Sequence, residues 1–123
     1  METLSQTRGM VGEELAAGFL AARGYKILLK NFETPLGEID LIARHKQTLV
    51  FVEVKTRASL EKGVPAESVT AHKRRQMVKN AYLYLKRYGI LDMPCRFDVV
   101  SVLMMPGQKP RIELIENAFG EGD

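Results

Sequence analysis

The stretch that most constrains this chain runs from Gly37 to Arg57 and reads GEIDLIARHKQTLVFVEVKTR. Two apolar runs, EIDLIA and TLVFVEVK, flank a polar RHKQT able to turn the chain, which predicts a β-hairpin. Val, Ile, Phe and Leu dominate both runs, as in the strands of a protected sheet. Asp40, Glu53 and Lys55 nevertheless sit inside the runs rather than at their ends. Charges are costly in a core unless they are paired, hydrogen-bonded or bound to a metal.

Strand side chains alternate between faces. On the second run Leu49, Phe51, Glu53 and Lys55 share one face, and Val50, Val52 and Val54 the other. On the first, Glu38, Asp40 and Ile42 lie opposite Ile39, Leu41 and Ala43. The apolar faces are expected to pack on one layer, because a one-residue slip would expose half of them. Asp40, Glu53 and Lys55 are then together on the other face. With Asp40 across from Glu53 their Cβ atoms lie ~5 Å apart, and Lys55 follows ~6.7 Å along the strand. Carboxylates that close repel unless a cation lies between them. Lys55 alone would make a structural ion pair. The other reading is a divalent ion, and oxygen ligands without His or Cys suit Mg²⁺ or Mn²⁺. Spacing alone leaves both readings open.

The remaining chain supplies a scaffold. A first helix is expected from about Val11 to Arg23, with Leu15, Ala16, Phe19, Leu20 and Ala22 as its apolar stripe and Gly24 as its stop. A strand follows over Tyr25–Glu33, and Pro35 and Gly37 turn into the hairpin. Ala58–Ser68 reads as an exposed loop. A second helix spans about Thr70–Tyr88, with Met77, Ala81, Tyr84, Leu85 and Tyr88 at helical spacing. Strands over Arg96–Met104 and Arg111–Phe119 complete the order α-β-β-β-α-β-β. That order predicts a single α/β or α+β domain around a mixed sheet. On a helical wheel Glu13 falls beside Leu20, at the stripe's margin, whereas Glu14 points away. Glu13 therefore reaches the carboxylate face if the first helix covers it. Its plainer role is an acid near a helix N-terminus.

Bulk properties narrow the classes. At 46% hydrophobic and 27% charged residues the chain has globular composition. No apolar run approaches the ~20 residues of a membrane span, and METLSQTRGMVGEE lacks the features of a signal peptide. Cys95 is the sole cysteine, so an internal disulfide is excluded, and a cytoplasmic protein is the expectation. Cys95 itself is expected to be a small buried residue. His45 and His72 have no spaced Ser or Cys partner of a known catalytic type.

Between Ala71 and Arg96 there are seven basic residues against one acid, Asp92. Lys73, Arg74 and Arg75 fall at the start of the second helix, where cations oppose the helix dipole. Phosphate contacts by these residues and Lys79 would explain the inversion. DNA is the expected partner, bound through its backbone and shape, since no base-reading motif is visible. A solvated helix face is the bland alternative.

Asp40, twelve intervening residues, then Glu53-Val54-Lys55 resembles the D…ExK signature of the PD-(D/E)xK nucleases. GMVGEELA, GYKILLKN, GEIDLIA, FVEVKTR and RFDVVSV together resemble the YraN-like family of small bacterial proteins, which has no established function. A more distant similarity, to archaeal Holliday-junction resolvases, rests on Glu13 and the hairpin. These resemblances imply a restriction-endonuclease-like α/β fold, with helices flanking a central mixed five-stranded sheet. They imply that Asp40 and Glu53 bind the metal, that Glu13 completes the site, and that Lys55 positions or activates the attacking water. Ile39 stands where the strict signature has proline. The function expected is Mg-dependent hydrolysis of DNA phosphodiesters, with branched or repair-intermediate DNA as the candidate substrate, by a protein compatible with a homodimer. The alternative is a non-catalytic nucleic-acid-binding or protein-interaction module on the same fold.

Overall fold

The computed structural model describes residues 4–59 and 69–120. Their elements are α1 (Leu4–Ala22), β1 (Tyr25–Thr34), β2 (Gly37–His45), β3 (Thr48–Arg57), α2 (Ala71–Arg87), β4 (Cys95–Leu103) and β5 (Arg111–Phe119). The order is the one expected, and the fold is α/β around one five-stranded mixed sheet. From residue 60 onward, the loop expected over Ala58–Ser68 lies outside the described residues. No helix among the described residues is long and apolar enough to cross a membrane.

The strands line up in sequence order. All neighbours are antiparallel except β3 and β4, which are parallel and joined through α2. A parallel pair requires such a crossover. Thr70 caps α2, its side chain accepting from the Lys73 N–H at 3.2 Å.

One helix covers each face of the sheet, so the strands that lie between them are apolar on both sides. On the α1 face Ala16, Ala17 and Leu20 pack on Leu41, Ala43, Val50, Val52 and Val54. On the α2 face Met77, Ala81, Tyr84 and Leu85 pack on Ile42, Leu49, Phe51, Phe97 and Val99. The alternation expected along β3 is therefore the observed one. Ile39 departs from it, belonging with Ile42 to the α2 face although the two differ in strand parity. The β2–β3 ladder ends at Leu41↔Val52, so Ile39 lies beyond the regular pairing that fixes the alternation. Asn31 of β1 adopts a left-handed φ of 55°, and the β1–β2 pairs Lys30↔Leu41 and Phe32↔Ile39 flank it and Asp40.

Helix α1 begins at Leu4 rather than near Val11. Its first two turns, LSQTRGM, carry no apolar period from which a helix can be read. Glu13 consequently lies ~13 Å of helix beyond the N-terminus, where the macrodipole no longer accounts for an acid.

At the end of the sheet formed by the starts of β1 and β4, a second polar group is buried. Asp98, with no exposed surface, accepts from Tyr25 Oη (3.2 Å), Arg96 Nε (3.1 Å) and the Asn117 N–H (2.9 Å). Arg96 also donates to Tyr25 Oη at 2.7 Å and lies 3.2 Å from His45 Nδ1, while the His45 and Tyr25 rings stack at 4.2 Å. Burial and the Asp98 carboxylate push the Tyr25 hydroxyl up to about 12. Cys95, expected to be buried, is exposed. It opens β4 at this same end, two residues before the strand enters the core at Phe97.

Candidate metal and active centre

The β2–β3 ladder runs from His45↔Thr48 to Leu41↔Val52. At the next position a side chain replaces the backbone: Asp40 Oδ2 accepts the Val54 N–H at 2.8 Å. A short carboxylate thus occupies the place of a ladder carbonyl, and the strands part around it. In that opening the Asp40 carboxyl lies close enough to those of Glu53 and Glu13 to shift both its own pKa and that of Glu13. The predicted meeting of Asp40 with Glu53 is observed.

The route taken by Glu13 differs from the expected one. Helix α1 covers the apolar Leu41–Val52–Val54 face, while the face bearing Glu53 lies under α2. Glu13 arrives through the opening, and a close approach of the α1 backbone to the Thr56 side chain delivers it there. A Cβ on Gly12 would lie 2.0 Å from Thr56 Oγ1, so α1 rests directly on β3 at a residue without a side chain.

Glu13, Glu38 and Asp40 each bring a carboxylate oxygen within 4.8 Å of the other two. Glu38 is a site residue that the resemblance and the spacing do not assign. A signal for it exists, since it lies two residues before Asp40 on the same strand face. Asn31 braces the group: in the amide orientation that satisfies its neighbours, its nitrogen donates to Glu38 Oε1 (2.7 Å) and Glu13 Oε1 (3.0 Å). Lys55 lines the same cleft of about 710 Å³, together with Glu13, Asp40 and Glu53. Among the described residues the ion pair of Glu53 is with Lys73 of α2 (3.4 Å) and not with Lys55. Glu53 is only 5% exposed, and its Oε2 accepts no hydrogen bond.

Burial, then repulsion by Asp40 and Glu38, raises the Glu13 carboxyl from 4.5 to about 7. Burial, followed by the hydrogen bond and charge of Glu53, raises Asp40 from 3.8 to about 8, against the opposing pull of the Val54 N–H and Lys73. Glu38 is raised by burial and by Asp40. These groups hold protons in the fold that the unfolded chain has released. Their stabilising contribution is full below pH ~4 and is lost as pH rises through the raised values toward 8. Melting temperatures measured across pH 4–9 in EDTA are expected to fall over this window, and Mn²⁺ is expected to flatten the decline.

The donor set suits a hard divalent cation. The atoms that converge, from Glu13, Glu38 and Asp40, are all carboxylate oxygens and their charges repel, while Glu53 stands outside this trio, its Oε2 3.4 Å from the Lys73 ammonium.

The four basic residues expected to meet DNA divide into two pairs. Lys73 is half-buried against Glu53, and Arg74 Nε donates to the Val69 carbonyl at 2.8 Å. Arg75 and Lys79 are exposed.

Fold and site together define an α/β protein with an acidic cleft where two strands of its sheet part. The chain belongs to the uncharacterised protein family UPF0102, the YraN family, whose model matches residues 12–102. That span contains Glu13, Asp40, Glu53, Lys55 and α2. A UPF0102 protein of Symbiobacterium thermophilum is 50% identical over 116 residues, covering 94% of this chain and 98% of its own. Another, from Geobacter sulfurreducens, is 48% identical over 90% of this chain and 87% of its own. One from Caldanaerobacter subterraneus is 45% identical over 93% and 95% respectively.

Proposed function

We propose that this chain is a Mg²⁺- or Mn²⁺-dependent nuclease that hydrolyses DNA phosphodiester bonds, with branched or repair-intermediate DNA as its substrate class. The observation that carries the reading is one cleft lined by Glu13, Asp40, Glu53 and Lys55, in which the oxygens of Glu13, Glu38 and Asp40 converge and Glu53 acts on Asp40. The two plainer roles account for the site less well. Glu53 pairs with Lys73 instead of Lys55, and Glu13 lies in the middle of its helix. A mixed five-stranded sheet with a helix on each face is also the layout that the nuclease resemblance implies.

Glu13, Asp40 and Glu53 would hold the ion, with Glu38 beside them and Asn31 fixing the Glu13 rotamer. The ion supplies Lewis acidity toward a phosphate oxygen and makes a nearby water more acidic. Lys55 places an ammonium where negative charge develops on the phosphate. Water is the nucleophile, and the protein forms no covalent bond to the substrate.

Cleavage of branched, nicked, single-stranded and duplex DNA in Mg²⁺ or Mn²⁺ tests this. Glu53→Ala is expected to abolish turnover, and Lys55→Ala to slow it roughly hundred- to thousandfold, as when one donor to a developing anion is removed. Wild-type protein that cuts none of these DNAs would leave the non-catalytic module as the better reading.

A further inference from the structure

Helix α2 carries six basic residues and no acid. Three of the six are engaged within the fold: Lys73 with Glu53, Arg74 with the Val69 carbonyl, and Arg87 over the Phe32 ring at 5.4 Å. Arg75, Lys79 and Lys86 are exposed, and so is Tyr82. At 3.6 residues per turn these four fall within about 60° of the helix circumference and form one stripe ~16 Å long. Tyr82 is the stripe's margin and is 54% exposed. On the other side of its ring the surface becomes a mainly apolar recess of about 430 Å³, lined by Val78, Leu85, Leu91 and Phe97 and also by Arg96 and Asn117. That volume falls within the range of small-molecule sites.

A row of cations on one side of an aromatic ring and an apolar recess on the other match a nucleotide's phosphate and its base. We propose that α2 tracks a single-stranded segment of the nucleic-acid substrate, with Arg75, Lys79 and Lys86 on the phosphates and one unpaired base stacked on Tyr82 over the recess. The inference rests on the nucleic-acid reading above and specifies its substrate. A paired base has both faces covered by its neighbours, so only an unpaired or extruded base can present a face to Tyr82. Lys73, 3.4 Å from Glu53, lies in the first turn of α2 on the side turned to the sheet, opposite the stripe. Tyr82 lies ~13 Å farther along the axis, the span of a few nucleotides. A second copy of the chain fits the recess less well. A two-fold interface on this face would oppose two basic stripes with no acid between them.

Fluorescence anisotropy in EDTA, where metal-dependent cleavage is silent, tests the proposal with full-length protein. The probes are a blunt duplex, the same duplex with a single-stranded arm, and that arm with abasic sites. Tyr82→Ala is expected to weaken binding of the base-bearing arm roughly ten- to hundredfold. It is expected to leave the blunt and abasic probes unchanged, and Tyr82→Phe to restore the affinity. Lys79→Ala with Lys86→Ala is expected to weaken binding of both armed probes and to flatten the salt dependence by about 1.4 in log–log slope. Undiminished binding of the armed duplex by Tyr82→Ala overturns the stacking proposal while leaving the nuclease reading intact. A Tyr82→Ala change from dimer to monomer in sedimentation also overturns it, in favour of a second copy on the recess. Wild-type protein that binds none of the probes overturns the nucleic-acid reading and this inference together.

Discussion

Asp40→Asn is expected to raise the melting temperature of the metal-free protein and, in the same molecule, to abolish its response to Mn²⁺ and any DNA cleavage. The Asp40 carboxyl is held to about 8 by burial and by Glu53. Near neutral pH the fold must therefore keep a proton on it or bear its charge beside Glu53 and Glu13. Asparagine retains an oxygen for the Val54 N–H, now accepted at 2.8 Å, and removes the charge. Relief of the repulsion is expected to stabilise the apo fold by ~1–2 kcal/mol, the usual size of gain when function-driven strain is removed. Wild-type protein is expected to gain about 2.7 kcal/mol at an ion concentration one hundred times Kd, because the ion binds only the folded state. The variant forfeits that gain with its ligand. Calorimetry of both proteins, with and without Mn²⁺, reads both effects. A destabilised variant, combined with a wild type indifferent to metal, would identify the carboxylates as a structural ion-pair group and remove the basis for hydrolysis.

Asp98→Ala is expected to act at the other end of the sheet and on stability alone. Asp98 is fully buried and accepts from Tyr25, Arg96 and the Asn117 N–H. Its loss leaves a guanidinium, a hydroxyl and an amide without their acceptor. Breaking one partner of such a buried pair costs ~3–5 kcal/mol, a large share of the ~5–15 kcal/mol that holds a domain together. In melting temperature that is a fall of roughly 10–20 °C. Urea denaturation should show the loss directly. The folded fraction should retain its metal response, since no residue of the Asp98 group lines the carboxylate cleft. An equally unstable Asp98→Asn would show that the charge, rather than the acceptor oxygens, holds the ends of β1, β4 and β5 together.

Much of the scaffold is legible in the amino-acid sequence. Strand periodicity is a property of neighbouring residues, so TLVFVEVK alone divides β3 into its two faces, and the faces are those observed. The partnership of Asp40 with Glu53 follows from the same alternation and a short turn. Sequence also marks Glu13, but for an incomplete reason. The wheel places it correctly at the stripe's margin, whereas the helix that carries it starts two turns earlier and covers the opposite face of the sheet. Glu38 carries a period-two signal that is visible yet gives no ground for assigning it a role.

What the sequence alone determined is what short-range chemistry encodes: the order of elements, the apolar faces, and which charges must leave the core together. Tertiary structure decided how those charges meet. Gly12 lets α1 lie against Thr56, Asn31 turns left-handed opposite Asp40, and Asp40 takes the Val54 N–H where the ladder parts. Each depends on residues distant in the chain being brought within a few ångströms, and neither periodicity nor spacing registers that distance. The same holds for the basic helix. Composition shows its charge, but only packing against Glu53 and Val69 separates the cations engaged in the fold from those left facing solvent.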